Sequence, residues 1–491
     1  MEKENRHRFM IVVLVLFAVL NTLDNTYGGQ PLLPVLGKDS IANPLIVEDH
    51  SQALALWAER GVRNAVLINF DAHDDIRWIP DAKIGDLREL YRRGDWQRFR
   101  QADTFADEGL YNVGNWIYAG VRLGIFKEIY WVIPFKYFAE GNSESRLRPF
   151  LTFCGFSSED VQSFTLRNNQ FQGSFRGIPF TLCGLESLPV ITEPLLLSMD
   201  ADFFRTYSAQ YRAAFLPALN EAFGSLSRMN YRIQDAAVAY SINGDFLHPH
   251  HRWVGDTAAA ILRKPGLIKE PPSESLLLLQ KIDNAHRSNN PAEMLALAEP
   301  YLARHLLPSL LLYKAYAHML QGDPEKAYAA TMTGCRTDKR YCSGAVYIGA
   351  YYASKGQHQR AERFFRGGFA VHPNMHYGLI QYADCLRKLG KLRESIGYYE
   401  KDDRLNGPFM DHFMIAETYL MLGERQTAAA ALKIALRGLE NAPYAGVMNE
   451  TVAHAIYAAI DFCDQNGYKE MAAALRNNPA IVQMARSYPR R

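Results

Sequence analysis

The sequence predicts an α/β domain built on a parallel sheet, followed by an all-α repeat solenoid. Two patterns carry this reading. Short apolar runs alternate with amphipathic stretches between residues 44 and 265, and glycines recur at spacings of 34, 34 and 33 from Gly322 onward. A chain of 491 residues also exceeds what one hydrophobic core usually serves.

The first pattern supplies the sheet. Leu45–Val47, Ala65–Phe70, Ile129–Ile133, Leu195–Met199 and Ala236–Tyr240 read as buried strands. Between them, Gln52–Arg60, Ile84–Arg93 and Tyr207–Phe223 read as helices. Strand–helix alternation implies parallel strands covered on both faces. Gln170–Leu182 reads as a β-hairpin excursion, and Pro271 and Pro272 mark the linker. The expected domains are residues 40–270 and 275–491.

The second pattern supplies the solenoid. Gly322, Gly356, Gly390 and Gly423 each follow a helix-like stretch. Five residues after each stands a small residue (Ala327, Ala361, Ser395, Ala428), and seven before each stands another (Ala315, Gly349, Ala383, Ala416). Small residues there let paired helices approach closely, while Phe365, Tyr399 and Leu432 fill the layers between hairpins. Period, turn glycine and small positions together resemble the tetratricopeptide repeat. Asp402 departs from it, standing where a small residue is preferred. Degenerate units around Asn289–Pro291 and Gly467 bring the expected total to five or six hairpins. Such arrays bind an extended peptide or protein, or serve only to pack on a neighbouring domain.

Composition narrows the function. The chain is 48% hydrophobic and 22% charged, with a formal net charge of +2 and no long single-sign run. It therefore calls for no nucleic-acid partner. At the N-terminus Lys3, Arg6 and Arg8 precede an apolar run from Phe9 to Leu20. Residues 1–28 read as a signal peptide or signal anchor, the alternative being a buried strand or helix. Export, a periplasmic location or membrane anchoring is the resulting expectation. Six cysteines (Cys154, Cys183, Cys335, Cys342, Cys385, Cys463) form no CxxC spacing. They serve either as core residues or as one or two disulfides.

The chemistry lies at the strand ends. Asp71-Ala72-His73-Asp74-Asp75 follows the second strand, and extended backbone turns residues 71, 73 and 75 to one side. Asp200-Ala201-Asp202 follows the Leu195–Met199 run, and Glu48-Asp49-His50-Ser51 follows the first strand. Four carboxylates and two imidazoles thus gather where parallel sheets open their ligand crevice. Such a cluster repels itself when buried unless cations sit among the acids. Oxygen-rich ligation suits two Mn²⁺ ions per chain best, with iron, cobalt and zinc left open.

Asp-His-Ser at 49–51, Asp-x-His-x-Asp at 71–75 and Ser-x-Asp-x-Asp at 198–202 stand in the order of the arginase/ureohydrolase superfamily. Asn115-Trp116-Ile117 and the stretch Tyr130–Pro134 resemble more narrowly an arginase-like family that includes peptide arginases. The resemblance covers residues 44 to 260. It implies an arginase-like fold, with one manganese on His50, Asp75, Asp200 and Asp202 and a second on Asp71, His73, Asp75 and Asp200. It further implies hydrolysis of arginine within a peptide to ornithine and urea, with Asp202 orienting the attacking hydroxide. The resemblance says nothing of the repeats; a large added array suits recruitment of a peptide or protein substrate better than free arginine. Asp74 is expected to point away from the ligands.

Two of the family's usual parts are missing. There is no glutamate between Ala222 and Glu270 to bind the guanidinium, so Asp245, Asp256 and Glu48 are the substitutes considered. For the proton shuttle, the loop residues His248 and His250 are the candidates. Amide deacetylation is a chemical variant of this reading. The alternative from another class is a catalytically inactive arginase-like scaffold whose repeats act as an envelope-located adaptor.

Overall fold

The computed structural model describes residues 41, 43–104, 109–137, 143–154, 156–406, 410–441, 450–465, 467–478 and 481–482. Eight strands form one sheet: β1 (Leu45–Val47), β2 (Ala65–Phe70), β3 (Phe126–Val132), β4 (Thr165–Arg167), β5 (Gln170–Phe175), β6 (Ile178–Cys183), β7 (Leu195–Asp200) and β8 (Ile233–Ala239). Their order is β1-β8-β7-β2-β3-β6-β5-β4. The first six in that order are mutually parallel, and β5 pairs antiparallel with both β6 and β4. The sheet is therefore mixed, which corrects the purely parallel expectation. The hairpin is no excursion: β6 pairs along β3, and β5 and β4 extend that edge.

Alternation along the central strands sends side chains to two faces. Val66, Ile68 and Phe70 of β2 join one core, whereas Ala65 and Leu67 join the other. Helices Ala201–Tyr211, Phe215–Met229 and Arg252–Arg263 cover the first face. Gln52–Glu59, Asp81–Arg93 and Trp116–Arg122 cover the second. The single helix expected over 207–223 is two helices, because Arg212 adopts a left-handed φ of 52° and Pro217 stands in the first turn after the break.

The C-terminal part is a tetratricopeptide-type helical array. Six hairpins are described, beginning with Glu274–Arg287 and Pro291–Leu302 and ending with Glu450–Gln465 and Lys469–Asn477. Gly322, Gly356, Gly390, Gly423 and Gly467 take φ between 71° and 80° at the turns, and Asn289 takes 51° at the first. This left-handed turn is why the repeat keeps glycine there. The small positions are buried as their spacing predicts, and a Cβ on Gly349 would meet the Phe365 ring at 3.0 Å. The core of the first sheet face continues into the array through Leu279, Ile282, Tyr313, Val346 and Tyr347. Tyr347 Oη donates to the Ile242 carbonyl (3.1 Å) and Tyr377 N to the Asn243 carbonyl (2.8 Å).

Cys335 and Cys342 form a disulfide, while Cys154, Cys183, Cys385 and Cys463 are free and buried. The expected membrane anchoring is corrected: no helix among the described residues is long and apolar enough to cross a membrane. The apolar run over residues 9–20, and all of residues 1–28, lie outside the described residues.

The unusual Asp402 is buried, as is Asp411 on the next helix, Met410–Met421. Burial, then the charge and hydrogen bond of Asp402, push the Asp411 carboxyl well above its ordinary value of 3.8. The folded state therefore binds the extra proton, and this stabilising contribution is lost as pH rises above the ordinary value. Asp411→Asn is expected to stabilise the protein by about 1–2 kcal/mol at pH 8 and by far less at pH 5. Urea unfolding at the two pH values checks the sign, and equal effects at both would refute it.

Candidate metal centre

The strand register levels the carboxyl ends of the central sheet. Val47 pairs with Ala239, Ala239 with Asp200, and Phe70 with both Met199 and Val132. The chain leaves β2 toward β3 on one side and β7 toward β8 on the other, so a topological switch lies between β2 and β7. Crevices at such switches are where open α/β sheets hold ligands. Asp71, His73 and Asp75 follow β2 there, while Asp200 and Asp202 end β7 and begin the next helix.

All six residues expected as ligands converge. His50 Nδ1 lies 2.9 Å from Asp71 Oδ2, 3.6 Å from Asp75 Oδ2 and 3.5 Å from Asp200 Oδ2. His73 Nδ1 lies 2.9 Å from Asp202 Oδ2 and 3.7 Å from Asp71 Oδ1. Five of the six are buried, and His73 alone is about half exposed (47%). Asp71, directly after β2, spans the two imidazoles with one oxygen toward each.

The surrounding side chains hold these groups in place. Asn69 and Ser198 are register partners on neighbouring strands; Asn69 donates to Asp71 Oδ2 (3.3 Å), and Ser198 Oγ contacts His50 Nε2. Trp116 Nε1 donates to Asp75 Oδ2 (2.6 Å), and Ser241 Oγ donates to Asp200 Oδ2. Asp75 and Ser241 both sit at left-handed φ, 52° and 53°. Such backbone is uncommon for non-glycine residues and is concentrated at functional sites. Asp200 also caps the following helix, accepting from Asp202 N at 2.9 Å. Asn69 and Ser241 escaped sequence reasoning, since a polar residue within or just beyond an apolar strand is the only local signal either leaves. Asp74 turns away as expected, toward Cys154 and Arg77.

The donor set fits divalent cations. Burial, and then the charge of Asp71, raise Asp75 well above the usual carboxylate range. Burial with the charges of Asp202 and Asp71 does the same to Asp200, and burial with the charge of Asp71 raises Asp202. Burial opposes ionisation of Asp71 too, but hydrogen bonds from His50 and His73 outweigh it and hold this carboxyl low. Burial likewise opposes charge on His73, yet its hydrogen bonds to Asp202 and Asp71 push it up to about 12. Four carboxylates ionise together at such a site only when positive charge is supplied.

The remaining candidates fall elsewhere. His250 does not join the cluster: its ring packs against His286, Tyr313 and Tyr316 of the array, 4.7–4.8 Å between centroids. This placement corrects its expected part as proton shuttle. His248 packs edge-on to Tyr347, and burial followed by neighbouring positive charge pushes its pKa down to about 3. The ring is thereby held toward its neutral form, which keeps one N–H but is a weak general acid for a leaving amine. The substitutes for a guanidinium-binding glutamate are also engaged: Glu48 pairs with Arg252 (2.9 Å), Asp256 accepts from Tyr240 Oη, and Asp245 faces His248 (3.5 Å) and Tyr347.

A cavity of about 320 Å³ is lined by the residues on either side of His50, though by none of the six converging residues themselves. Asp49, Ser51, Asp103 and Phe246 line it from the α/β part, and His376 and Tyr377 from the array. The Phe246 ring packs on His73, 4.7 Å between centroids. Burial pushes Asp49 up to about 7, against a hydrogen bond from Asn243. Burial pushes Asp103 to about 8, against a hydrogen bond from Ser51 and with the Asp49 charge adding to the rise.

Fold and site together define an α/β domain with a carboxylate–imidazole centre at its switch point, joined to a tetratricopeptide-type array. No protein-family model matches the chain, and no curated protein does. Among solved structures, a MamA structure from Desulfovibrio magneticus RS-1 is 14% identical, covering 35% of this chain and 99% of its own at a TM-score of 0.29. A structure titled for pilF of Pseudomonas aeruginosa is 15% identical, covering 43% of this chain and 91% of its own at a TM-score of 0.30. Likeness at this level carries no argument about function.

Proposed function

We propose that the protein is a binuclear metal hydrolase of the manganese class, acting on guanidino groups of arginine within peptides or proteins. The observation that carries this reading is the convergence of four carboxylates and two imidazoles at the switch point, with one nitrogen of each imidazole turned to carboxylate oxygens. His50, His73, Asp71, Asp75, Asp200 and Asp202 would hold two divalent cations, which when bound supply Lewis acidity and a water of lowered pKa.

The chain's own groups account for positioning. Ser198 and Ser241 orient His50 and Asp200, and Trp116 orients Asp75. Asp49 and Asp103 present two carboxyls to the cavity, where an entering guanidinium releases their protons and is held by their charge. His376 and Tyr377 form a wall of that cavity, which supports a part for the array in presenting a substrate. Walls from two parts of the chain suit a reacting side chain carried on a peptide better than free arginine.

The test incubates the full-length protein with Mn²⁺ and arginine-containing peptides. Conversion of arginine to ornithine lowers peptide mass by about 42 Da and releases one urea per event. Two metals per chain with that shift support the reading. Two metals without it would direct the search to other amides. A protein that binds no metal would instead be a scaffold for the array.

A further inference from the structure

Away from the carboxylate centre, three imidazoles meet at the junction with the first helical hairpin. His250 and His251 stand on the short turn Pro249–His251 after β8, and His286 in the last turn of Glu274–Arg287. Ring centroids are 4.0 Å apart for His250–His251 and 4.7 Å for His250–His286. One ring nitrogen from each lies within 4.8 Å of the others. His250 is only 1% exposed, yet neither of its ring nitrogens has a hydrogen-bond partner. His251 Nδ1 also has none, and neither has the buried Tyr316 hydroxyl, whose ring packs on both His250 and His286.

Aromatic packing alone does not explain this cluster. A buried donor or acceptor left without a partner is destabilising, and a phenyl ring in the place of His250 would avoid that cost. The outer contacts are those of a metal-binding imidazole. Asp283, fully buried, lies 2.8 Å from His251 Nε2 and also accepts from Tyr313 Oη (3.0 Å) and Arg287 Nε (2.6 Å). A carboxylate on one ring nitrogen fixes the proton there and leaves the lone pair of the other free, as in carboxylate–histidine–metal arrangements. Burial keeps all three imidazoles on the neutral side, the form that coordinates.

We propose that His250, His251 and His286 form a second metal site, a three-imidazole centre for a zinc-class divalent cation that joins the α/β part to the array. Its donors are nitrogen only, whereas those at the switch point are mostly oxygen, so the two sites differ in preferred metal. The inference does not depend on the proposed hydrolase.

The experiment equilibrates full-length protein with Zn²⁺, removes loosely bound metal and counts zinc per chain in wild type, Asp200→Asn, His250→Phe and His286→Gln. Circular dichroism checks folding. His286 is partly exposed, so its variant decides the matter if the His250 variant does not fold. The expected result is one equivalent of zinc lost in each histidine variant but retained at this site in Asp200→Asn. Co²⁺ substitution should give a nitrogen-ligand d–d spectrum in Asp200→Asn that vanishes in His286→Gln. Zinc content unchanged by His286→Gln, or no zinc bound by any form, would overturn the proposal.

Discussion

Asp200→Asn is expected to reduce the proposed guanidino hydrolysis by at least roughly 100-fold, the scale on which loss of even an outer partner acts at metal sites. The same change should make the metal-free protein more stable. Burial and the charges of Asp202 and Asp71 raise the Asp200 carboxyl well above its ordinary range, and asparagine resembles its protonated form. Asparagine also keeps the helix cap that Asp200 provides. Relief of the crowded acids should add about 1–2 kcal/mol without metal. With Mn²⁺ at about 100 times its dissociation constant the wild type gains roughly 2.7 kcal/mol, and the variant much less. Thermal unfolding with and without Mn²⁺ measures both effects, and equal Mn²⁺ shifts in the two proteins would exclude Asp200 as a ligand.

Arg252→Ala is expected to destabilise the fold by about 3 kcal/mol, since breaking a buried ion pair leaves its partner uncompensated. Arg252 is 1% exposed at the start of its helix and donates through Nη2 to both oxygens of Glu48, at 3.1 and 2.9 Å. Its guanidinium also lies over the Tyr240 ring, 4.2 Å from the centroid, so packing is lost with the charge. Glu48 begins the turn that carries His50, and metal affinity should therefore fall along with stability. Arg252→Lys keeps the charge but not the planar fork, and should lie between the two. Urea unfolding and Mn²⁺ titration of both variants provide the comparison. An alanine variant within 0.5 kcal/mol of wild type would show that the pair contributes little, as exposed pairs do.

The elements that sequence reasoning located well are those whose signal is local. The apolar runs of β1, β2 and β7 begin where the structure begins them, because strands buried on both faces need continuous apolar residues. The turn glycines were legible because a left-handed φ recurs once per hairpin. The errors arose where local pattern was ambiguous. Tyr207–Phe223 carries one helical periodicity across a break that Arg212 makes, and the hairpin over 170–182 gives no hint that β6 pairs along β3.

The sequence by itself located the central strands, the repeat and the six residues that gather at the switch point, because each follows from a pattern along a few residues of chain. Only the tertiary structure decided which groups face one another. It drew Asp103, from a loop without a motif, to the cavity beside Asp49, and it turned His250 from the carboxylates toward His286, 36 residues further along. It also engaged Glu48 with Arg252, 204 residues away. Periodicity records which face a residue takes, whereas burial and the choice of polar partner depend on segments brought together only when the chain packs.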